Sequence, residues 1–279
     1  MTIELRNIIE KLAIERYRKV GGNSWMEVMT LMQTLIEEKF ISPKIEEWID
    51  ENGITCRNFS LFFKGKKNKK IIIGAHYDSF NETPGADDNA SAIAVLLCIA
   101  GELKKVENLP YDTELVFYAC EEPPYFGSEY MGSFKHAINC TNENTAFMIC
   151  LEMVGFYSDE KGSQSYPLSF LKYFYGSVGN YLMLVSDFRS RSISRRMKEI
   201  TKNSPMIYKR FISPFKSWGM DWSDHRNYWS KKIPAIMITD TSLFRNKNYH
   251  ELSDLPETLN YEKMESLVVD LVNIVTKIK

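Results

Sequence analysis

The chain carries almost no net charge: 35 Lys and Arg stand against 36 Asp and Glu, a formal balance of −1. Proteins that grip nucleic acid need a basic face or stripe, and no global field of that sign exists here. A basic run does occur at residues 64–70, Lys-Gly-Lys-Lys-Asn-Lys-Lys. No aromatic platform interleaves it, so it reads as a solvated hairpin turn whose charges guard apolar strands. Cysteine is scarce and odd in number: Cys56, Cys98, Cys120, Cys140 and Cys150, with no CxxC spacing. That argues against a disulfide framework and for thiols in a reducing compartment. Met1-Thr2-Ile3-Glu4-Leu5-Arg6 lacks the basic and apolar regions of a secretory signal. A cytoplasmic protein is the expectation, with a secreted relative whose signal has been removed as the alternative. No apolar run approaches the roughly 20 residues of a membrane span, so no membrane partner is expected. No repeat, linker or low-complexity stretch divides the 279 residues. One domain over 1–279 is the expectation, with N-terminal helices in 1–50 packed against it. Its oligomeric state is left open.

Strand and helix patterns alternate instead. Amphipathic helices are predicted over 3–20 and 23–50, separated by Gly21-Gly22 with Asn23 and Ser24 as candidate N-caps. A strand is expected over 54–63, and another begins at Ile71-Ile72-Ile73. A small-residue helix over 90–103 follows, then strand 114–119, helix 128–138, strands 145–151 and 181–185, and helix 190–201. Strand 234–239 and helix 261–278 close the chain. Such alternation predicts an α/β fold, a three-layer α/β/α sandwich with a mixed, mostly parallel central sheet. The stretch 204–227, with Phe211, Phe215, Trp218 and Trp222, reads as a long aromatic loop of the kind that serves function.

Five acidic or histidine clusters punctuate this pattern: His76-Tyr77-Asp78-Ser79, Gly85-Ala86-Asp87-Asp88-Asn89-Ala90-Ser91, Cys120-Glu121-Glu122, Leu151-Glu152-Met153-Val154-Gly155 and Tyr249-His250. Each falls where a buried strand is expected to end, which is where open α/β sheets bind ligands. Singly, each has a plain explanation: a structural histidine, a solvated acidic pair, a helix cap. Together they have the composition of a metal site, above all zinc. Candidate ligands are His76, Asp88, Glu122, Glu152 and His250. Asp78, two residues after His76, is placed to orient its imidazole, and Asp254 to do the same for His250. Glu121 and Glu122 are consecutive, so their side chains diverge; one can bind metal while the other faces substrate as a base.

These stretches, with Phe126-Gly127-Ser128, Ser223-Asp224-His225, Asp254 and Thr258, resemble the M28 metallopeptidases. The likeness is to zinc aminopeptidases of the bacterial leucyl and aminopeptidase S type, and it covers residues 71–260. It implies two zincs bridged by Asp88, the second aspartate of its pair, with a cis Asp88–Asn89 peptide. One zinc would take His76 and Glu152, the other Glu122 and His250. Glu121 would pass a proton from water to the leaving amine. The implied partner is a peptide with a free N-terminus.

Three departures accompany the resemblance. Glu152 stands where many members have Asp. Ala92 replaces a glycine. Gly219-Met220-Asp221-Trp222 offers no tyrosine for the oxyanion. Asp224 and His225 are read as contacts around the site or the substrate, and His136 as surface. Met153, Trp222, Phe244 and Tyr249 are candidates for a substrate side-chain pocket, core packing being the alternative. Two other functions remain open: a glutaminyl-cyclase-like acyltransferase with one zinc, and a non-catalytic binding relative.

Overall fold

The computed structural model of the chain describes residues 1–17, 24–40, 42–213 and 219–278. Its frame is one eight-stranded sheet: β1 (Lys44–Ile49), β2 (Thr55–Phe63), β3 (Gly65–His76), β4 (Leu109–Tyr118), β5 (Thr145–Glu152), β6 (Tyr181–Ser186), β7 (Ile207–Ile212) and β8 (Ala235–Thr239). The spatial order is β1-β2-β4-β3-β5-β8-β6-β7. The inner strands β4, β3, β5 and β8 run parallel, as do β6 and β7; β1–β2, β2–β4 and β6–β8 pair antiparallel. The inner strands read as unbroken apolar runs because both faces are covered: residues 71–76 of β3 and 145–152 of β5 are almost wholly buried.

Helices α1 (Thr2–Leu12), α2 (Ser24–Glu37), α3 (Ala92–Leu103), α6 (Arg191–Ile200) and α8 (Tyr261–Lys277) share the larger apolar core on one face. The other face carries α4 (Gly132–Ile138) and α7 (His225–Ser230) over Ile72, Val116, Met148 and Cys150. The short helix α5 (Lys172–Tyr175) lies in the 157–180 connection. The architecture is the expected α/β/α sandwich. Small side chains let α3 lie close to the sheet, and α3 is buried almost throughout. All five cysteines are buried.

Several boundaries differ from expectation. Helix α1 stops at Leu12, and α2 at Glu37. Residues 44–49 form an exposed antiparallel edge strand, Trp48 facing Cys56, and not the end of a helix. Pro43 is the physical reason, since proline disfavours helix in the residue before it and cannot donate the bond a continuing helix requires. The lysine run is no turn either: it forms the outer half of β3, extended and exposed, in register with Leu109–Tyr111 of β4. Lys67 lies 4.2 Å above the Tyr111 ring and Lys70 bonds Glu114 at 2.6 Å, so extension suits these side chains. The supposed loop 204–227 contains β7, a lightly buried edge strand whose apolar signature is faint, and the start of α7. Asn23, Phe215 and Trp218 lie outside the described residues.

Candidate active site

Buried β-branched residues carry His76 to the last position of β3 and Glu152 to the last of β5. Glu121 and Glu122 follow β4 after a sharp turn at Cys120, whose φ is +60°. Asp88 and His250 arrive differently from expectation. They do not sit at strand ends but on connections, Asp88 after β3 and just before α3, His250 after β8. Cys120, Met153 and His250 all adopt left-handed backbone, with φ of 60°, 46° and 60°. Such residues cost of order 1–3 kcal/mol each and persist where surrounding structure enforces them, commonly at functional sites. The Asp88–Asn89 peptide is cis.

The five candidate ligands converge as two triads that share one aspartate. His76, Asp88 and Glu152 offer atoms within 4.8 Å of one another, and so do Asp88, Glu122 and His250. The two Asp88 oxygens face opposite ways: Oδ1 lies 3.5 Å from His76 Nε2, and Oδ2 lies 3.3 Å from His250 Nε2. Glu152 Oε2 is 3.4 Å from His76 Nε2, and Glu122 Oε1 is 3.4 Å from His250 Nε2. Tetrahedral ligands bonded to zinc at about 2.0–2.1 Å stand about 3.3–3.4 Å apart, so these separations suit the ion. Buried His76 Nε2, Asp88 Oδ1 and Glu122 Oε1 have no hydrogen-bond partner. Orphaned buried polar atoms call for an explanation, and a cation between them supplies one. The donor set therefore fits a pair of zinc ions.

The surrounding bonds hold these groups in place. Asp78 stands beside His76, Oδ1 3.5 Å from Nδ1, and its carboxylate accepts the Glu121 and Glu122 backbone N–H groups at 3.2 and 2.9 Å. Asp254 does not orient His250; it accepts from the Asp87 and Asp88 backbone N–H groups at 2.9–3.1 Å. The His250 ring instead stacks on Phe80 and Tyr249, each 3.8 Å away. Asp87 accepts from Gly155 N–H and Asn246 Nδ2, both at 2.8 Å, which keeps it in the supporting shell and leaves Asp88 for the centre. Asn89 ties the loop to β5 by donating to Leu151 C=O at 3.0 Å and accepting from Met153 N–H at 3.1 Å. Ser223 Oγ donates to Glu152 Oε2 at 2.6 Å. The side chains of Ser223 and Asn89 stood inside the sequence motifs without a role; Asn246 had no signal of its own.

Electrostatics follow from packing carboxylates into a buried site. Burial, and then the Asp88 charge, push Glu122 up to about 8. Burial likewise raises Glu121 well above the carboxylate range; Glu122 and Glu152 add to it, and His76 opposes. Burial alone would lower both imidazoles, but Glu152 and Glu121 hold His76 well above its ordinary value. Asp88 and Glu122 raise His250 to about 9. In the metal-free protein these groups therefore store protons that a cation must displace.

Glu121 lies 3.9 Å from His76 Nε2, belongs to neither triad, and lines a cavity of about 410 Å³ that opens beside the cluster. Trp222, Phe244 and Tyr249 line it too, together with Tyr166, Leu171, Met183, Phe211 and Met220. Met153 does not. Its side chain is buried with Sδ 2.9 Å from Ser242 Oγ, so it packs behind the wall. Asp224 and His225 are also outside the cavity lining. Burial raises Asp224 to about 7 and lowers His225 to about 4, and His225 Nε2 meets Met220 C=O at 2.9 Å. His136 is no surface residue: it is buried, 2.7 Å from Tyr228 Oη and 3.5 Å from Glu114.

A model described as Peptidase family M28 matches residues 58–272. The chain is 40% identical to the uncharacterized protein YfbL of Escherichia coli K12, over 86% of its own length and 77% of the relative's. It is 24% identical to a probable leucine aminopeptidase of Arthroderma otae, covering 88% of this chain and 62% of that one. Solved structures share the fold. A Zn-dependent exopeptidase from Parabacteroides distasonis superposes with a TM-score of 0.69 at 16% identity, over 99% and 98% of the two chains. A Tannerella forsythia glutaminyl cyclase gives 0.67 at 18%, over 100% and 99%.

Proposed function

The chain belongs to peptidase family M28, and on that premise we propose that it is a two-zinc aminopeptidase releasing N-terminal residues from peptides. The observation that carries this is the pair of triads sharing Asp88, with orphaned ligand atoms, beside an apolar cavity. His76, Asp88 and Glu152 would hold one zinc, and Asp88, Glu122 and His250 the other. Zinc bound there supplies Lewis acidity and lowers the pKa of water towards neutrality.

The protein's own groups do the rest. Glu121, buried and outside both triads, takes the proton of the attacking water and delivers it to the leaving nitrogen as the C–N bond breaks. Tyr249 lines the cavity, stacked on His250, and stays protonated, held up by burial and by Asp88, so its phenol is the candidate donor to the developing oxyanion. The lining holds Asp88, Glu121, Glu122 and Glu152 with no lysine or arginine among the described lining residues. Two zinc ions would offset the charge of these four carboxylates, which leaves the apolar remainder of the wall to select the side chain.

Zinc per chain, measured alongside hydrolysis of aminoacyl-nitroanilides and cyclisation of N-terminal glutamine, tests the reading. Two zincs with hydrolysis support it. One zinc with cyclisation and no hydrolysis would replace it with the acyltransferase reading, and neither reaction would leave a binding protein.

A further inference from the structure

Arg16 lies outside every motif and upstream of residues 58–272, yet its side chain is wholly buried beneath the centre. Its guanidinium donates to three carbonyls of the connection between His76 and Asp88: Nε to Tyr77 at 2.8 Å, Nη1 to Pro84 at 2.7 Å and Nη2 to Gly85 at 2.8 Å. Nη1 also reaches Leu12 and Ile14, the end of its own segment. Its backbone N–H donates to Ser79 Oγ at 2.9 Å, and that hydroxyl donates to Thr83 C=O. Both limbs of the 77–85 loop are thus fastened to one rigid fork. The loop is shaped to receive it. Gly85 has a φ of +57°, and a Cβ there would meet Asp88 C=O at 2.2 Å and Arg16 Nη2 at 2.8 Å. Three residues on stands Asp88, the ligand both triads share.

We propose that Arg16 is a positioning residue for the metal centre, setting the distance between His76 and Asp88 by clamping the loop that joins them. The inference rests on reading the cluster as a zinc centre. Arginine suits the task because its planar fork presents five donors in fixed directions from three nitrogens, whereas an ammonium presents three from a single point. Burial lowers it to about 10, while Asp254, Asp88, Asp78 and Glu122 favour its charge, so it stays cationic at neutral pH. Charge and clamp act in opposite directions on a bound dication. Removing a nearby cation tightens zinc by Coulomb's law; releasing the loop loosens it.

The test is zinc affinity by chelator competition on wild type, Arg16→Lys and Arg16→Ala, with and without millimolar methylguanidine. Wild type that binds no zinc would end the zinc-centre reading itself. Given binding, Arg16→Ala is expected to lose about 10- to 100-fold, the range for groups that orient metal ligands. Arg16→Lys should recover little, and methylguanidine should restore part of the loss in the alanine variant alone. Circular dichroism confirms that the variants are folded. Unchanged or tighter zinc in folded Arg16→Ala would overturn the proposal, as would full affinity in Arg16→Lys. If Arg16→Ala does not fold, the lysine variant alone decides.

Discussion

Glu121 and Glu122 have the same side chain and adjacent positions, yet only Glu122 enters a triad, 3.4 Å from His250. Their divergence follows from the backbone, whose direction Asp78 fixes by accepting both N–H groups. Glu121→Gln keeps the shape but cannot carry a proton. It is expected to retain zinc and lose kcat by about 10²- to 10⁴-fold, the span of a lost acid–base catalyst. Turnover at the wild-type rate with full metal content would remove Glu121 from the mechanism. The proton stores give a second expectation at this scale. His250 sits at about 9 in the folded protein against an ordinary 6.5, and Glu122 at about 8 against 4.5. Both bind protons more tightly when folded. Their stabilisation of the metal-free protein is therefore fully present at low pH, below the unfolded values, and is lost as pH rises through 8–9. Zinc must displace those same protons, so its affinity should climb over that window. Titrating zinc against a chelator from pH 6.5 to 9.5, with melting curves of the metal-free protein alongside, measures both; a flat affinity profile would mean the protons are stored elsewhere. The residue types of the centre were legible in the sequence because five histidine and carboxylate clusters recur along one chain, where any one of them alone has a plainer explanation. The pairing of Asp254 with the Asp87 and Asp88 amides was not, since it joins residues 167 apart by a loop conformation that no local pattern encodes.

Among the elements, the hinge between β4 and α4 bears most directly on catalysis. Gly132 N–H donates to Ala119 C=O at 2.7 Å, and Asn58 of β2 bridges the two, accepting from Ala119 N–H and donating to Gly132 C=O. A Cβ on Gly132 would sit 2.7 Å from the Ala119 backbone and 2.1 Å from Asn58 Oδ1. Gly132→Ala must therefore push α4 away from β4 immediately ahead of Cys120, Glu121 and Glu122. Overpacking of this kind costs about 1–3 kcal/mol. A fall in denaturation midpoint together with a lower kcat per folded molecule is expected, and wild-type values for both would show that the hinge gives way freely. The inner strands were legible at this scale because burial on two faces leaves an unbroken apolar run. The edge strands were not. Nor was the outer half of β3: residues 65–69 and 207–212 pair on one side only, and their lysines and arginine carry the composition of a loop.

At the scale of the whole molecule, the sheet brings β4, β3, β5 and β8 side by side with parallel ends, and the long connections after β5 and β8 rise around that edge to form the cavity. The order of the strands could not be read from sequence, because alternation fixes layers and not neighbours. The cavity likewise drew on Tyr166, Leu171 and Met183, which no motif marked. Its volume of about 410 Å³ falls in the range of small-molecule sites, and its wall is largely aromatic and aliphatic, with Trp222 more than half exposed at 55%. A first residue with a large apolar side chain would exchange water for this wall, whereas glycine would leave it wetted and aspartate would bury a charge against it. Burying one such side chain stabilises a complex by roughly 1.5–3 kcal/mol, which corresponds to about one to two decades of kcat/KM when the contact persists in the transition state. A panel of aminoacyl-nitroanilides should therefore rank phenylalanyl and leucyl above alanyl and glycyl, with aspartyl last. Leu171→Asp should compress that ranking while leaving zinc content untouched, because Leu171 meets the cavity far from the triads in sequence and contributes to neither. A glycyl or acidic preference in the wild type would separate the cavity from specificity, and the aromatic wall would then serve only to pack the 157–180 connection onto the sheet.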